Sequence, residues 1–345
     1  MVKTPFLVGS RCVSLLYIRI PNRSEKLAAE VCATIETFNM EYRALKSLAD
    51  AEYTEDDIAI VVGTDSDVLK AFHELGSRHV PVLGVCETET RGFLTEISVK
   101  DLPRALENLQ KKRFVVEENT RLSVSVDDKN VLPAVNEAAI FPSKSATIME
   151  YTLTVDDEIV WRDYSDGVII STPLGSSAYA LSAGGPMVAH RSKVLVIVPV
   201  NSLDVTRRPL IVPDDSKIFI NGIHARARCE VVIDGTIRLK VNNKVCIKKH
   251  DVPARLVRLP GSSYVLEKMA KKVQLAEELL KIPPSAKLIL KTLEYEGPLT
   301  HRELVRKTML PDRTMRQALA LLIGKGMVKR KPLLRDARQK LYYIA

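Results

Sequence analysis

The stretch Asp166-Gly167-Val168-Ile169-Ile170-Ser171-Thr172-Pro173-Leu174-Gly175-Ser176-Ser177-Ala178-Tyr179-Ala180-Leu181-Ser182-Ala183-Gly184-Gly185-Pro186 changes character twice. A β-branched run, Gly167 to Ser171, ends in a Pro/Gly turn of small hydroxylated residues, and a helix-like stretch follows through Ser177-Ala178-Tyr179. Such a turn is expected to expose backbone N–H and hydroxyl donors that suit ribose, phosphate or a carboxamide, and Tyr179 offers a face for stacking. By residue type alone the stretch also reads as an ordinary Gly-rich turn.

Upstream of it, short β-rich runs alternate with longer amphipathic ones: Val13 to Ile20, Ser24 to Phe38, Ile58 to Val62 and Val68 to Leu75. This βαβ rhythm predicts a parallel sheet over residues 1–125. Around and beyond the quoted stretch, β-branched runs predominate, at Ala146 to Val155, Val194 to Pro199, Lys217 to Ile220, Glu230 to Ile233 and Thr236 to Val241. They predict a β-rich second domain over 126–265. Asp234-Gly235 reads as a hairpin turn, because both residues tolerate positive φ.

A chain of 345 residues is long enough for two or three domains of roughly 100 to 200 residues each. Its apolar runs, such as Val194 to Val200, are far shorter than the ~20 residues that span a bilayer, so neither export nor membrane insertion is expected. Cys12, Cys32, Cys86, Cys229 and Cys246 are scattered, with no spacing that builds a zinc site. A reducing cytoplasm with free thiols is the expectation.

The net charge of +9 is concentrated in the tail. From Lys281 onward, fifteen Lys or Arg face five Asp or Glu, a net of +10, so the first 280 residues carry a net of −1. Pro283-Pro284-Ser285 ends an amphipathic run from Ser263 to Ile282, which predicts a helical linker over 266–282 and a separate module over 283–345. In that module Ala286 to Tyr295 reads as a helix, and Thr300 with Glu303 as a capping box opening a second helix through Lys307. A third helix is expected over Arg313 to Ile323, and Val328–Lys331 should pair with Lys340–Ile344 as a β-wing. The order resembles a winged helix-turn-helix, an α+β module, and duplex DNA is the partner it implies. Arg313 and Arg316 would lie on the recognition helix, and Lys329, Arg330 and Lys331, with Arg335, Arg338 and Lys340, on the wing. A docking or dimerisation role is the other reading of the same order.

The Asp-Gly to Ser-Ala-Gly-Gly-Pro segment quoted first is similar to the hallmark segment of NAD kinases. Three further pieces stand in the same order as in that family: Gly92-Phe93-Leu94-Thr95-Glu96, Asn136-Glu137 and Arg208-Pro209-Leu210. The resemblance covers roughly residues 10 to 265. It implies an α/β N-terminal domain, a β-rich second domain, a dinucleotide in the cleft between them, phosphoryl transfer from ATP or another donor to NAD, Mg²⁺ with the ATP, and a homo-oligomer.

Residue by residue, the resemblance assigns Gly63-Thr64-Asp65-Ser66-Asp67 to the family's Gly-Gly-Asp-Gly-Thr phosphate loop, with Asp65 acting on the 2′-hydroxyl of the adenosine ribose. Asp65 is kept and both neighbouring glycines are lost. Lys70 stands where an Arg is usual. Asn136 and Glu137 match the pair that contacts the dinucleotide, and Asp166 the nicotinamide-side carboxylate. Thr172, Gly175, Ser176, Ser177, Ala178, Tyr179 and Ser182 complete the implied NAD site, and Gly63, Thr64, Ser66 and Lys70 the donor site. Gly84-Val85-Cys86-Glu87 replaces the family's Gly-Ile-Asn and following glycine, one residue further from Gly92. Two functions stay open: an NAD kinase with a DNA- or partner-binding tail, or a DNA-binding transcriptional regulator whose inactive kinase core senses NAD or NADP.

Overall fold

The computed structural model describes residues 15–19, 25–86, 92–144, 146–260, 282–333 and 336–344, and it divides into two units, Met1–Val265 and Leu266–Ala345. The helical linker expected over 266–282 falls, but for Ile282, outside the described residues. So do Cys12, Glu87, Arg335 and the side chain of Arg338.

In the first unit, Leu16–Arg19, Tyr42–Leu45, Ile58–Val62 and Val82–Cys86 form the expected parallel sheet. Ile58–Val62 and Val82–Cys86 are buried at every position, as unbroken β-branched runs are when helices cover both faces. The helix Asp65–Leu75 buries Val68, Leu69, Ala71, Phe72 and Leu75 and ends at Gly76, whose φ of 59° a glycine adopts without strain. Sequence periodicity starts this helix three residues late, because its polar first turn carries no apolar signal.

The second domain holds two six-stranded antiparallel sheets. Met149–Val155 and Cys229–Ile233 alternate buried with half-buried positions. Tyr151, Leu153, Ile220 and Ile247 of one sheet meet Ile140, Val168, Ile170 and Ile197 of the other in a single core. Truncating one of them, as in Ile170→Ala, removes contacts worth about 2–5 kcal/mol. Asp234 and Gly235, at φ 47° and 68°, form the expected hairpin between Cys229–Ile233 and Ile237–Val241.

The division at residue 125/126 needs correction. Leu122–Val126 already belongs to the β-rich domain, paired with Val245–Lys249. The strand Ala254–Arg258 returns to the first sheet, parallel to Val82–Cys86 at Leu256 and Val82 and antiparallel to Val115–Asn119. The chain thus crosses between the domains twice, and the terminal strand of 126–265 completes the N-terminal sheet.

The second unit contains the helices Pro284–Glu296, His301–Thr308 and Asp312–Gly324 and a sheet of Leu299–Thr300, Asp336–Ile344 and Val328–Leu333. Its core gathers Ala286, Ile289, Leu293, Leu304, Met315, Leu319, Leu322 and Val328. The capping box is formed: the Thr300 N–H donates to Glu303 Oε2 at 2.8 Å and the Glu303 N–H to Thr300 Oγ1 at 3.4 Å. The hairpin pairs Val328 with Ile344 and Lys331 with Leu341. Leu299–Thr300 adds a third strand that the sequence, with two residues, does not announce.

Candidate functional site

Asn136 stands at the bend before Glu137, the first residue of the strand Glu137–Pro142. Its conformation is imposed from elsewhere. The carboxylate of Asp234 accepts the backbone N–H groups of Val135, Asn136 and Glu137 at 2.8, 2.7 and 3.1 Å. The turn 171–177 packs on the same bend: the Thr172 N–H donates to the Asn136 carbonyl at 2.9 Å, and the Thr172 hydroxyl to the Val135 carbonyl at 2.7 Å. A Cβ on Gly175 would fall 2.2 Å from the Asn136 carbonyl oxygen, so only glycine lets the two pieces close.

The hydroxyls of this turn are not the exposed donors expected of them. Thr172, Ser176 and Ser177 are buried. Thr172 Oγ1 also accepts the Gly175 N–H at 3.0 Å, Ser176 donates to the Pro173 carbonyl at 2.7 Å and accepts the Val188 N–H at 2.9 Å, and Ser177 donates to the Leu174 carbonyl at 3.3 Å. A tight turn leaves several carbonyls without ladder partners, and the short hydroxyl side chains satisfy them. Ala178 is half-buried, and Ser182 is exposed at the end of the short helix Tyr179–Ser182.

Three of the proposed NAD residues, from separate stretches of sequence, do meet. Glu137, Asp166 and Tyr179 line one cavity of about 600 Å³, together with Phe141, Lys144, Asn201, Gly235 and Arg238. The Tyr179 ring, 45% exposed, stacks on Phe141 at 5.8 Å between centroids and 29° between planes. Burial, then the charges of Glu137 and Asp166, raise the Tyr179 phenol pKa, so it stays a neutral donor. Asp166 Oδ2 accepts from the Asn201 amide at 2.8 Å. Lys144 and Arg238 set two cations among the two carboxylates, a mixed lining of the kind that orients a polar ligand. Asn136, Thr172, Ser176 and Ser177 are not among the residues that line this cavity. Sequence reading passed over Phe141, Lys144, Asn201 and Arg238, which lie on ordinary strands and loops with no local signature.

The residues expected on the donor side gather at the start of the helix Asp65–Leu75. Asp65 Oδ2 accepts the Phe93 N–H at 2.7 Å, and Oδ1 accepts those of Leu94 and Thr95, each at 3.0 Å. One carboxylate thus holds Phe93, Leu94 and Thr95, and the Gly92 N–H closes the loop on the Thr95 hydroxyl at 2.7 Å. Glu96 continues it into a buried ion pair with Arg258 at 2.8 Å. Asp67 folds back on the loop, accepting from the Thr64 N–H at 2.9 Å and the Thr64 hydroxyl at 3.0 Å. A Cβ on Gly63, whose φ is 145°, would lie 2.4 Å from Asp67 Oδ2. Ser66 and Lys70 are exposed. Arg208 bonds its neighbours' carbonyls at Val205 and Arg207.

The tail residues separate by position. Arg313 and Arg316 are exposed on the helix Asp312–Gly324, with Arg316 paired to Asp312 at 2.6 Å, and Lys329, Arg330 and Lys331 are exposed along Val328–Leu333.

Two family models match the chain, that of the ATP-NAD kinase N-terminal domain over residues 17–114 and that of the ATP-NAD kinase C-terminal domain over residues 135–259. The NAD kinase of Methanopyrus kandleri is 31% identical over 251 residues, 70% of this chain and 90% of its own. That of Methanothermobacter thermautotrophicus is 34% identical over 222 residues, 62% of this chain and 77% of its own. Among solved structures, an NAD kinase from Archaeoglobus fulgidus in complex with ATP has a TM-score of 0.62 at 24% identity, covering 75% of this chain and 98% of that one. Yeast NADH kinase complexed with NADH has 0.63 at 21%, covering 74% and 88%. Both solved structures share the fold of the first unit, and residues 260–345 lie beyond both family models.

Proposed function

The chain belongs to the NAD kinase family, and from that premise we propose which of its residues hold the substrates and carry the reaction. The activity is phosphoryl transfer to the 2′-hydroxyl of the adenosine ribose of NAD, giving NADP. That activity favours the kinase over a regulator with an inactive core.

In our reading the dinucleotide occupies the cavity lined by Glu137, Asp166 and Tyr179, and the convergence of these three side chains on one space is the observation that carries it. Tyr179 supplies the stacking face, Asp166 the polar contact on the nicotinamide side, and Lys144 and Arg238 the counter-charge for the pyrophosphate. Thr172, Gly175, Ser176, Ser177 and Ala178 act indirectly, by fixing the turn against Asn136. Asp65 takes the proton from the attacking 2′-hydroxyl as the new P–O bond forms and the bond to the donor's bridging oxygen breaks, the diphosphate leaving with that electron pair. An ionised carboxylate has about four acceptor sites, so the three N–H groups on Asp65 leave room for that proton.

ATP is the donor we expect. Among the described residues no group of three or more His, Cys, Asp or Glu is arranged to hold a metal. Mg²⁺ commonly rides on substrate phosphates with one or two carboxylates, and Asp65 in the first helical turn is the acid that would face it. The ion supplies charge neutralisation on the transferring phosphoryl group. The purified full-length protein, incubated with NAD, Mg²⁺ and either ATP or polyphosphate and assayed for NADP, tests the donor; polyphosphate alone supporting turnover would replace ATP.

For the second unit we propose a winged helix-turn-helix that binds duplex DNA, supported by the order of its elements and the net +10 of residues 281–345. A homo-oligomer is the expected assembly, to be checked by light scattering. No helix among the described residues is long and apolar enough to cross a membrane.

A further inference from the structure

A hairpin turn needs only residues that accept positive φ, and an exposed Asn or Gly satisfies it. Asp234 is something more. Its side chain is fully buried, and it takes three successive backbone N–H groups, from Val135, Asn136 and Glu137, on one carboxylate. Its own N–H donates to the Glu137 carbonyl at 3.0 Å. Burying an ionised carboxylate is costly unless hydrogen bonds and opposite charge surround it. Both are present. His73 Nε2 stands 3.0 Å from Asp234 Oδ2. The buried guanidinium of Arg121, donating to the carbonyls of Gly76 at 2.7 Å and Phe72 at 3.3 Å, lies within the field of the same carboxylate.

His73 belongs to the helix Asp65–Leu75, which begins at the proposed base. Asp234 therefore lies between the helix of Asp65 and the bend of Asn136–Glu137, touching both through its carboxylate. We propose that Asp234, with His73 behind it, is a positioning residue for NAD: it sets the Asn136–Glu137 bend and holds that bend in register with the helix carrying Asp65. The inference rests on the reading of Glu137 as part of the dinucleotide site. Its chemistry is specific to a carboxylate. An amide at 234 keeps one acceptor oxygen, but its NH₂ opposes at least one of the three converging N–H groups.

The test is steady-state kinetics of full-length Asp234→Asn, His73→Leu, His73→Gln and Asn136→Ala, with NAD and ATP varied separately and folding followed by circular dichroism. Asp234→Asn and His73→Leu should each raise KM for NAD by about tenfold or more while KM for ATP moves less than about threefold, and His73→Gln, which keeps a polar group within reach of Asp234, should recover most of the loss. A merely structural role would lower the folded fraction and the apparent kcat and leave both KM values in place; that result overturns the proposal. If Asn136→Ala raises KM for NAD and the Asp234 and His73 variants do not, the positioning inference fails while the pocket stands. If none of them raises it, the pocket reading fails and the proposal with it. Should Asp234→Asn not fold, the contrast between His73→Leu and His73→Gln decides alone, and equal behaviour of the two is the negative result.

Discussion

Gly92 and Asp65 are in such close approach that a Cβ on the glycine would stand 2.1 Å from the Asp65 Oδ1. The carboxylate proposed as base is thus also the anchor of the Gly92–Thr95 loop, and two substitutions weigh these tasks differently. Asp65→Asn should abolish NADP formation through loss of the base and, because its NH₂ would oppose at least one of the three loop N–H groups, should also loosen the loop, while NAD affinity stays within about tenfold, or ~1.4 kcal/mol. Gly92→Ala keeps the base but displaces it, and should lower stability by about 1–3 kcal/mol, with activity reduced and measurable. Calorimetric melting with an NADP assay checks both. Full turnover in Asp65→Asn removes Asp65 as the base.

A second prediction concerns the donor. Asp67 occupies the Thr64 N–H and hydroxyl at the helix N-terminus, where unliganded N–H groups favour an anion. Arg19, 3.9 Å from Asp67 Oδ1, is shared with Glu74 at 2.7 Å and offsets only part of that charge. Asp67→Asn should therefore lower KM for ATP by about fivefold, or on the order of 1 kcal/mol. Asn keeps one oxygen that can accept from Thr64, so the cost in stability should stay below about 1 kcal/mol. An unchanged or higher KM for ATP would mean that the donor phosphates do not approach this turn.

The pocket gives a third. Tyr179→Ala removes the ring stacked on Phe141 and should weaken NAD binding by about 1 kcal/mol or more. Asn136→Ala should weaken it as well, through the bend before Glu137. Titration calorimetry showing unchanged affinity in both variants would place the dinucleotide elsewhere.

Much of this architecture is legible in the sequence, for a local reason: burial on both faces, on one face or at a cap leaves a periodic mark. Ile58–Val62 and Gly167–Ser171 fall where their apolar runs put them, and the Thr300/Glu303 box opens its helix as spelled. What the sequence hides is set by partners far along the chain. Ala254–Arg258 is a plain strand until Leu256 pairs with Val82. Asp234 looks like turn chemistry until its carboxylate meets Asn136, 98 residues away. The hydroxyls of Thr172, Ser176 and Ser177 suggest ligand donors by composition, whereas the geometry of a tight turn consumes them. Arg238 carries no motif and becomes a cavity residue only because the hairpin at Asp234-Gly235 puts it there.

The last prediction separates the tail from the kinase. Residues 281–345 carry a net +10 and the first 280 a net −1, and the second unit has its own core around Ile289, Leu304, Met315 and Leu322. Deleting residues 283–345 should therefore eliminate binding to duplex DNA and leave NAD binding intact, by gel retardation and calorimetry respectively. Within the full-length protein the exposed cations should divide by role. Neutralising Arg313 and Arg316, on the helix proposed for the major groove, should weaken a cognate site more than random duplex. Neutralising Lys329, Arg330 and Lys331 on the hairpin should weaken both alike, because base contacts specify and phosphate contacts position. Arg316 is paired with Asp312, so base contact requires that exposed ion pair to open, at a cost of about 0–1 kcal/mol. Affinity should fall with salt at a log–log slope of about −0.9 per phosphate neutralised. Full-length protein that retards no duplex at low ionic strength would make the tail a docking or dimerisation element, and the truncated chain would then differ from the full one in oligomeric state instead.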